Sequence, residues 1–169
     1  VYRAILAVGE TYGLRHAGFH AMNSLRLEAG YRHWGHDISD EDTPLEGGLG
    51  FAIAWEKAGG FVGREALLKQ RDATKSKRLI QFRVEDPDLI TYHDDPIFRD
   101  EVYVGRTTGG MWSHVEDRCL TMAYVNNSDG VSQDWLDDGV WEIEIGTRRR
   151  PVTPSIRSFY DPRNQRVRM

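Results

Sequence analysis

The chain has 169 residues, of which 40% are hydrophobic and 28% charged, and its formal net charge is −4. That length suits one ordinary domain, or one small domain with part of another. The acidic balance argues against a general nucleic-acid binder, which needs a net basic face, and no stretch approaches the ~18 continuous apolar residues of a membrane span.

The first segment is apolar-periodic: Val1, Ile5 and Val8 recur at i, i+4 and i+7, one stripe of a helix that Gly9 can end. Short, interrupted by Arg3 and without a cleavage site, it does not read as a signal peptide. A helix that opens the chain without partners leads us to expect that sequence upstream has been cut away. Ala17 to Ala29 is the clearest helix, with Phe19, Met22, Arg26 and Ala29 on one stripe, Leu25 beside it and Gly30 to close it. Asp42-Thr43-Pro44 supplies an N-cap candidate and a proline at a first helical position, starting a short turn through Leu49. Phe51 to Trp55 reads as a buried strand and Arg64 to Gln70 as another short helix.

Residues 71–77 are charged and apolar only at Ala73, which marks a linker between a segment 1–70 and a segment 78–169. Beyond it the period changes to two. Ile80, Phe82 and Val84 alternate with Leu79, Gln81 and Arg83, and Trp141, Ile143 and Ile145 alternate with Glu142 and Glu144. Further strands are expected at Ile97 to Arg99, Val102 to Thr108, Cys119 to Val125 and Arg149 to Thr153, with a short helix around Ser132 to Asp138 closed by Gly139. Short strands at this spacing indicate a small antiparallel barrel or sandwich.

The single cysteine, Cys119, excludes an internal disulfide and a multi-cysteine zinc site. Its apolar neighbours make it a packed strand residue, and we read the compartment as reducing, the cytoplasm in a bacterium. His16 and His20 are spaced as helix-borne metal ligands can be, but the metalloprotease glutamate is missing between them. His33 and His36 have no third ligand nearby, so no metal site is assigned. The run Arg148 to Arg150 reads as a solvated sheet face: with Gly146-Thr147 as a two-residue turn, Glu144 faces Arg149 across the ladder. Arg26 is the oddity. A guanidinium in an apolar stripe needs an anion, and that anion is either a ligand or an acidic neighbour in a structural ion pair; snorkelling to water is the third option. Tyr31 and Trp34 lie in a glycine-bounded loop where aromatics either plug the core or stack on a flat ligand.

The stretches Ser24-Leu25-Arg26-Leu27-Glu28-Ala29-Gly30, Trp34-Gly35-His36-Asp37, Thr43-Pro44-Leu45-Glu46-Gly47-Gly48-Leu49-Gly50 and Phe61-Val62-Gly63-Arg64-Glu65-Ala66-Leu67 resemble the glycine-cleavage T-protein (aminomethyltransferase) superfamily. Val104-Gly105-Arg106-Thr107-Thr108-Gly109-Gly110, Ala123-Tyr124-Val125 and Phe159-Tyr160-Asp161-Pro162 resemble its C-terminal barrel. The motif around Trp34 is most similar to the dimethylglycine and sarcosine dehydrogenases. The resemblance implies an α+β chain in which residues 1–70 end a folate-binding domain and residues 78–169 form a small antiparallel β-barrel. It implies tetrahydrofolate as cofactor, bound by Arg26 with Trp34 and Tyr160 as lesser candidates, and FAD only in a part preceding this chain. It also implies a small N-methyl amine substrate whose carbon leaves as 5,10-methylenetetrahydrofolate. The family's key aspartate belongs upstream of Val1, so no catalytic residue is assigned and the chain alone is expected to be inactive. The alternatives are a free aminomethyltransferase, a folate-dependent demethylase, and a non-catalytic folate-binding or structural module.

Overall fold

A computed structural model describes residues 1–166 and 168, so Val167 and Met169, at the end of the expected barrel segment, lie outside the described residues. Four helices, α1 (Tyr2–Gly9), α2 (Phe19–Glu28), α3 (Arg64–Asp72) and α4 (Gln133–Asp137), accompany six strands. The strands are β1 (Lys77–Val84), β2 (Pro96–Arg99), β3 (Val102–Ser113), β4 (Arg118–Asn126), β5 (Trp141–Ile145) and β6 (Arg148–Ser155). All their pairings are antiparallel, in the closed order β1-β4-β3-β2-β5-β6. The chain is thus α+β, a few helices on a six-stranded barrel. Closure removes the free edges at which an open sheet aggregates.

The alternation read in the sequence fills the barrel. Ile80, Phe82, Val84, Ile97, Cys119, Ala123, Val125, Trp141, Ile143 and Val152 form one buried cluster. α4 plugs it with Leu136, and Ser132 caps that helix by accepting from the Trp135 amide. Trp141 donates Nε1–H to the Leu136 carbonyl at 2.9 Å and meets Trp135 edge-on at 5.0 Å, so its polar atom is satisfied inside the core. The Gly146-Thr147 turn takes positive φ at both residues and sets Glu144 opposite Arg149, as expected. The ion pair Arg149 makes is diagonal, to Glu142 at 3.7 Å, and its guanidinium lies 3.7 Å from the centre of the Phe98 ring.

Two expectations are corrected. Residues 51–55 form no strand: Gly50–Ala52 is a 3-10 turn and Phe51 is 85% exposed, because no neighbouring strand offers its backbone a ladder. In α2 only half of the expected stripe is covered: Phe19 and Met22, with Leu25 beside them, face outward and Arg26 and Ala29 are half-buried, while Ser24, Leu27 and Glu28 are buried. That face wins because the barrel offers it polar partners: Ser24 Oγ donates to the Trp112 carbonyl at 2.6 Å, and the Glu28 carboxylate accepts from Ser113 Oγ at 2.8 Å and the Val115 amide at 3.2 Å. Leu27 completes the contact in a second cluster with Leu79 and Met122. The stripe of α1 is exposed as well, Ile5 and Val8 included. α3 continues to Asp72 and β1 begins at Lys77, so four residues, 73–76, lie between them.

Candidate functional site

The site is built where α2 ends and β3 is interrupted. Gly30, at φ +70°, closes α2: its amide donates to the Leu27 carbonyl and the Tyr31 amide to the Arg26 carbonyl, the paired bonds of a Schellman motif. The chain leaves in a left-handed step and returns as the loop 31–38. A turn there brings the Asp37 amide to the His33 carbonyl at 2.9 Å.

On the barrel side, β3 carries a bulge. Thr107 pairs with Ala123 and Gly109 with Met122, so Thr108 has no partner in the ladder. A bulge re-aims the unpaired side chain. Thr108 Oγ1 donates to Asp37 Oδ1 at 2.5 Å. Asp37 is 1% exposed, and its other oxygen accepts from the Arg26 guanidinium and from the His33 amide at 2.8 Å. A buried carboxylate with this many charge-assisted donors is well compensated.

Arg26 is therefore paired with an acidic neighbour, one of the options left open by the sequence. Its Nε donates to Asn23 Oδ1 at 2.6 Å, and Nη1 serves Asp37 and, at 3.4 Å, the Tyr31 carbonyl. Nη2 makes no hydrogen bond among the described residues. Arg26 lines a cavity of about 180 Å³ with His33, His36, Tyr92 and Gly109. The His33 Nδ1 atom is buried and unpartnered. His36, His93 and Thr108 also border a larger cleft of about 540 Å³, so the two adjoin.

The larger cleft holds Asp42, Lys77 and Tyr124. Lys77 Nζ lies 2.8 Å from Asp42 and 4.5 Å from the centre of the Tyr124 ring. Burial works against the Asp42 carboxylate, but hydrogen bonds from Lys77 and Ser39 hold it below the usual carboxylate range. Tyr124 goes the other way: burial, then the Asp42 carboxylate, raise its phenol pKa. The Tyr124 hydroxyl is buried without a hydrogen-bond partner among the described residues, although the Asp42 carboxylate is a neighbour.

The three candidates from the sequence do not converge. Arg26 lines the small cavity; Trp34, 67% exposed, lines neither it nor the cleft. Tyr160 is half-buried and accepts a hydrogen bond from Arg166 Nη1 at 3.2 Å. Asp37, Thr108, Lys77 and Tyr124 were given no role by the sequence reading and Asp42 only that of an N-cap candidate, though Asp37, Thr108 and Tyr124 stand inside motifs it singled out. Among the described residues, no group of three or more His, Cys, Asp or Glu side chains is placed to hold a metal ion. No described helix is long and apolar enough to cross a membrane.

A closed antiparallel barrel with one face of a preceding helix packed on it defines the class. Residues 77–161 match the family model described as the glycine cleavage T-protein C-terminal barrel domain, and residues 1–57 match that of the GCVT N-terminal domain. The chain belongs to the glycine cleavage T-protein family.

Its relatives differ in what their names say they do. 4-Methylaminobutanoate oxidase (formaldehyde-forming) of Paenarthrobacter nicotinovorans is 38% identical over 168 residues, covering 99% of this chain and 20% of that protein. The mitochondrial pyruvate dehydrogenase phosphatase regulatory subunit of Mus musculus is 36% identical over 160 residues, with 88% and 18% covered. Human mitochondrial sarcosine dehydrogenase is 35% identical over 170 residues, with 99% and 18% covered. The chain thus spans about a fifth of the length of these relatives. Among solved structures, the glycine cleavage system aminomethyltransferase T from Bartonella henselae matches with a TM-score of 0.66 and 25% identity, over 79% of this chain and 36% of that one.

Proposed function

We propose that this chain is the end of a tetrahydrofolate-dependent one-carbon-transfer protein that takes its carbon from an N-methyl amine and forms 5,10-methylenetetrahydrofolate. Residues 1–70 end the folate-binding domain, 71–77 link it, and 78–169 form the barrel domain. FAD, in this reading, belongs to a part preceding this chain, and the protein works in the cytoplasm, where the buried thiol of Cys119 stays reduced.

One observation carries the reading: Arg26, whose Nη2 is undonated, and His33 line the same cavity, which adjoins a larger polar cleft. A flat heteroaromatic edge with alternating donors and acceptors fits those groups, and about 180 Å³ suits one ring system while the cleft accepts the remainder. When bound, tetrahydrofolate supplies the ring nitrogens that accept the carbon. Arg26 orients the ring, its own direction fixed by Asp37 and Asn23. Trp34 offers an exposed indole face for stacking, and Tyr160 is an outer contact from the C-terminal segment.

Calorimetric titration of tetrahydrofolate into the chain tests this. Arg26→Lys keeps a charge for Asp37 but loses the fork, and Trp34→Ala leaves the buried contacts alone. We expect saturable binding that both weaken. Equal binding by wild type and Arg26→Lys removes Arg26 from the site. A second reading, a non-catalytic module, is favoured by the relationship to a regulatory subunit and by how much of the Arg26 fork is already committed. Absence of any binding heat would support it.

A further inference from the structure

A separate polar cavity shares no lining residue with the two described above. It measures about 230 Å³ and is lined by Arg32 and Arg157, by the polar side chains of Gln81, Ser158 and Asn164, and by Phe51. No aspartate, glutamate or histidine lines it, in a chain where acidic residues outnumber basic ones by 26 to 22.

Arg32 is its anchor. Nε donates to the Gly47 carbonyl at 2.9 Å and Nη1 to the Gly30 carbonyl at 2.5 Å, which holds the guanidinium against two neutral acceptors. Among the described residues, neither Arg32 nor Arg157 has a carboxylate within ion-pair distance. Burial lowers the Arg32 pKa, with Asp37 opposing that from longer range, yet a guanidinium stays charged. Nη2 is undonated, and a Cβ at Gly48 would come within 2.6 Å of it. Gly48 also sits at φ +70°, so the position favours glycine, which leaves Nη2 its room. A desolvated cation held only by carbonyl dipoles is a costly arrangement without a counter-charge.

We propose that this cavity is an anion-binding pocket, distinct from the Arg26 site, which takes a single carboxylate or phosphate group on the undonated Nη2 of Arg32 with Arg157 closing over it. Either group presents one oxygen to accept from Nη2 of Arg32 and another to accept from Arg157. The volume lies below the ~300 Å³ at which pockets for whole drug-sized ligands begin, so it suits one charged group on a short stem. Phe51, 85% exposed, offers the rest of such a ligand an apolar rim.

Calorimetric titrations with inorganic phosphate and with N-acetylglutamate test this and separate the two sources. Arg157 is exposed, so Arg157→Glu places a carboxylate at the mouth without touching the core, and its melting temperature checks the fold. Arg32→Lys keeps the charge and loses the Nη2 donor. At least one probe is expected to bind saturably, less well as salt is added, and about tenfold more weakly in each variant. The probe that binds names the source. No saturable binding of either probe, or binding that Arg157→Glu leaves unchanged, overturns the proposal, and Arg157→Glu decides alone if Arg32→Lys fails to fold.

Discussion

Arg26 and Asp37 face each other across the turn that ends α2, eleven residues apart, and the Asp37 carboxylate passes the connection on to Thr108 in the barrel, 71 residues further along. Helix, loop and barrel therefore meet on one side chain, whose own exposure is 0%. The guanidinium serves two ends at once: part of it fixes the loop, and the remainder is turned to the cavity.

Replacing Asp37 tests how much rests on it. Asp37→Asn leaves a largely buried guanidinium without its counter-charge and should lower the unfolding free energy by on the order of 3 kcal/mol. Asp42→Asn is the contrast, because its partner Lys77 is 32% exposed and the pair is screened; a loss below about 1 kcal/mol is expected. Urea unfolding reads both as shifts in midpoint at unchanged slope. Equal losses would show that Asp37 is not the junction.

Two glycines make a second pair. A Cβ on Gly105 would sit 1.8 Å from the Tyr124 carbonyl oxygen, backbone that cannot step aside without parting β3 from β4. Gly105→Ala should cost at least about 3 kcal/mol. Gly59 has open space around it but φ +80°, so Gly59→Ala carries only the left-handed penalty of about 1 kcal/mol. Thermal unfolding of the two variants should rank them in that order, and the reverse order would contradict the β3–β4 register.

Tyr124 gives an alkaline signature. Its phenol is neutral when protonated, and burial followed by the nearby Asp42 charge raises its folded pKa above the usual value of about 10. Below that value both states hold the proton and the contribution is constant. As pH rises above it, the unfolded chain releases the proton first, so stability falls through the window up to the folded pKa, by about 1.4 kcal/mol per pH unit. Tyr124→Phe removes both that slope and an unpartnered buried hydroxyl, so it should be near neutral in stability at pH 7. Unfolding free energies measured across the alkaline range check the slope; identical slopes in the two proteins would rule the assignment out.

The barrel was legible because its alternation is clean. Ile80, Phe82 and Val84 all reach the core cluster, and the short helix expected around Ser132 to Asp138 forms as α4. The expected β3 stopped at Thr108 because Gly109-Gly110 breaks the pattern, whereas the strand runs through a bulge to Ser113. The burial of α2 was misjudged for a related reason. Apolar periodicity pointed to Phe19, Met22 and Leu25, but acceptors and donors on β3 bury Ser24 and Glu28 instead. Arg26 could be singled out because it stood in an apolar stripe. Its partner Asp37 lies in a loop, where no periodicity says which way a carboxylate points.

The unpaired Thr108 also acts as a counter. Thr107 is buried opposite Ala123, and unbroken alternation from it would send Met111 and Ser113 to the same side, into the barrel. With one residue spent, both emerge on the outer face instead, where Met111 packs with the Leu27 cluster and Ser113 meets Glu28. Parity along β3 is thus what allows a single strand to line the interior with its first half and receive a helix with its second. Deleting one residue there would turn every later side chain over, whereas a change of two would keep their sides. The strand tolerates length variation only in even steps.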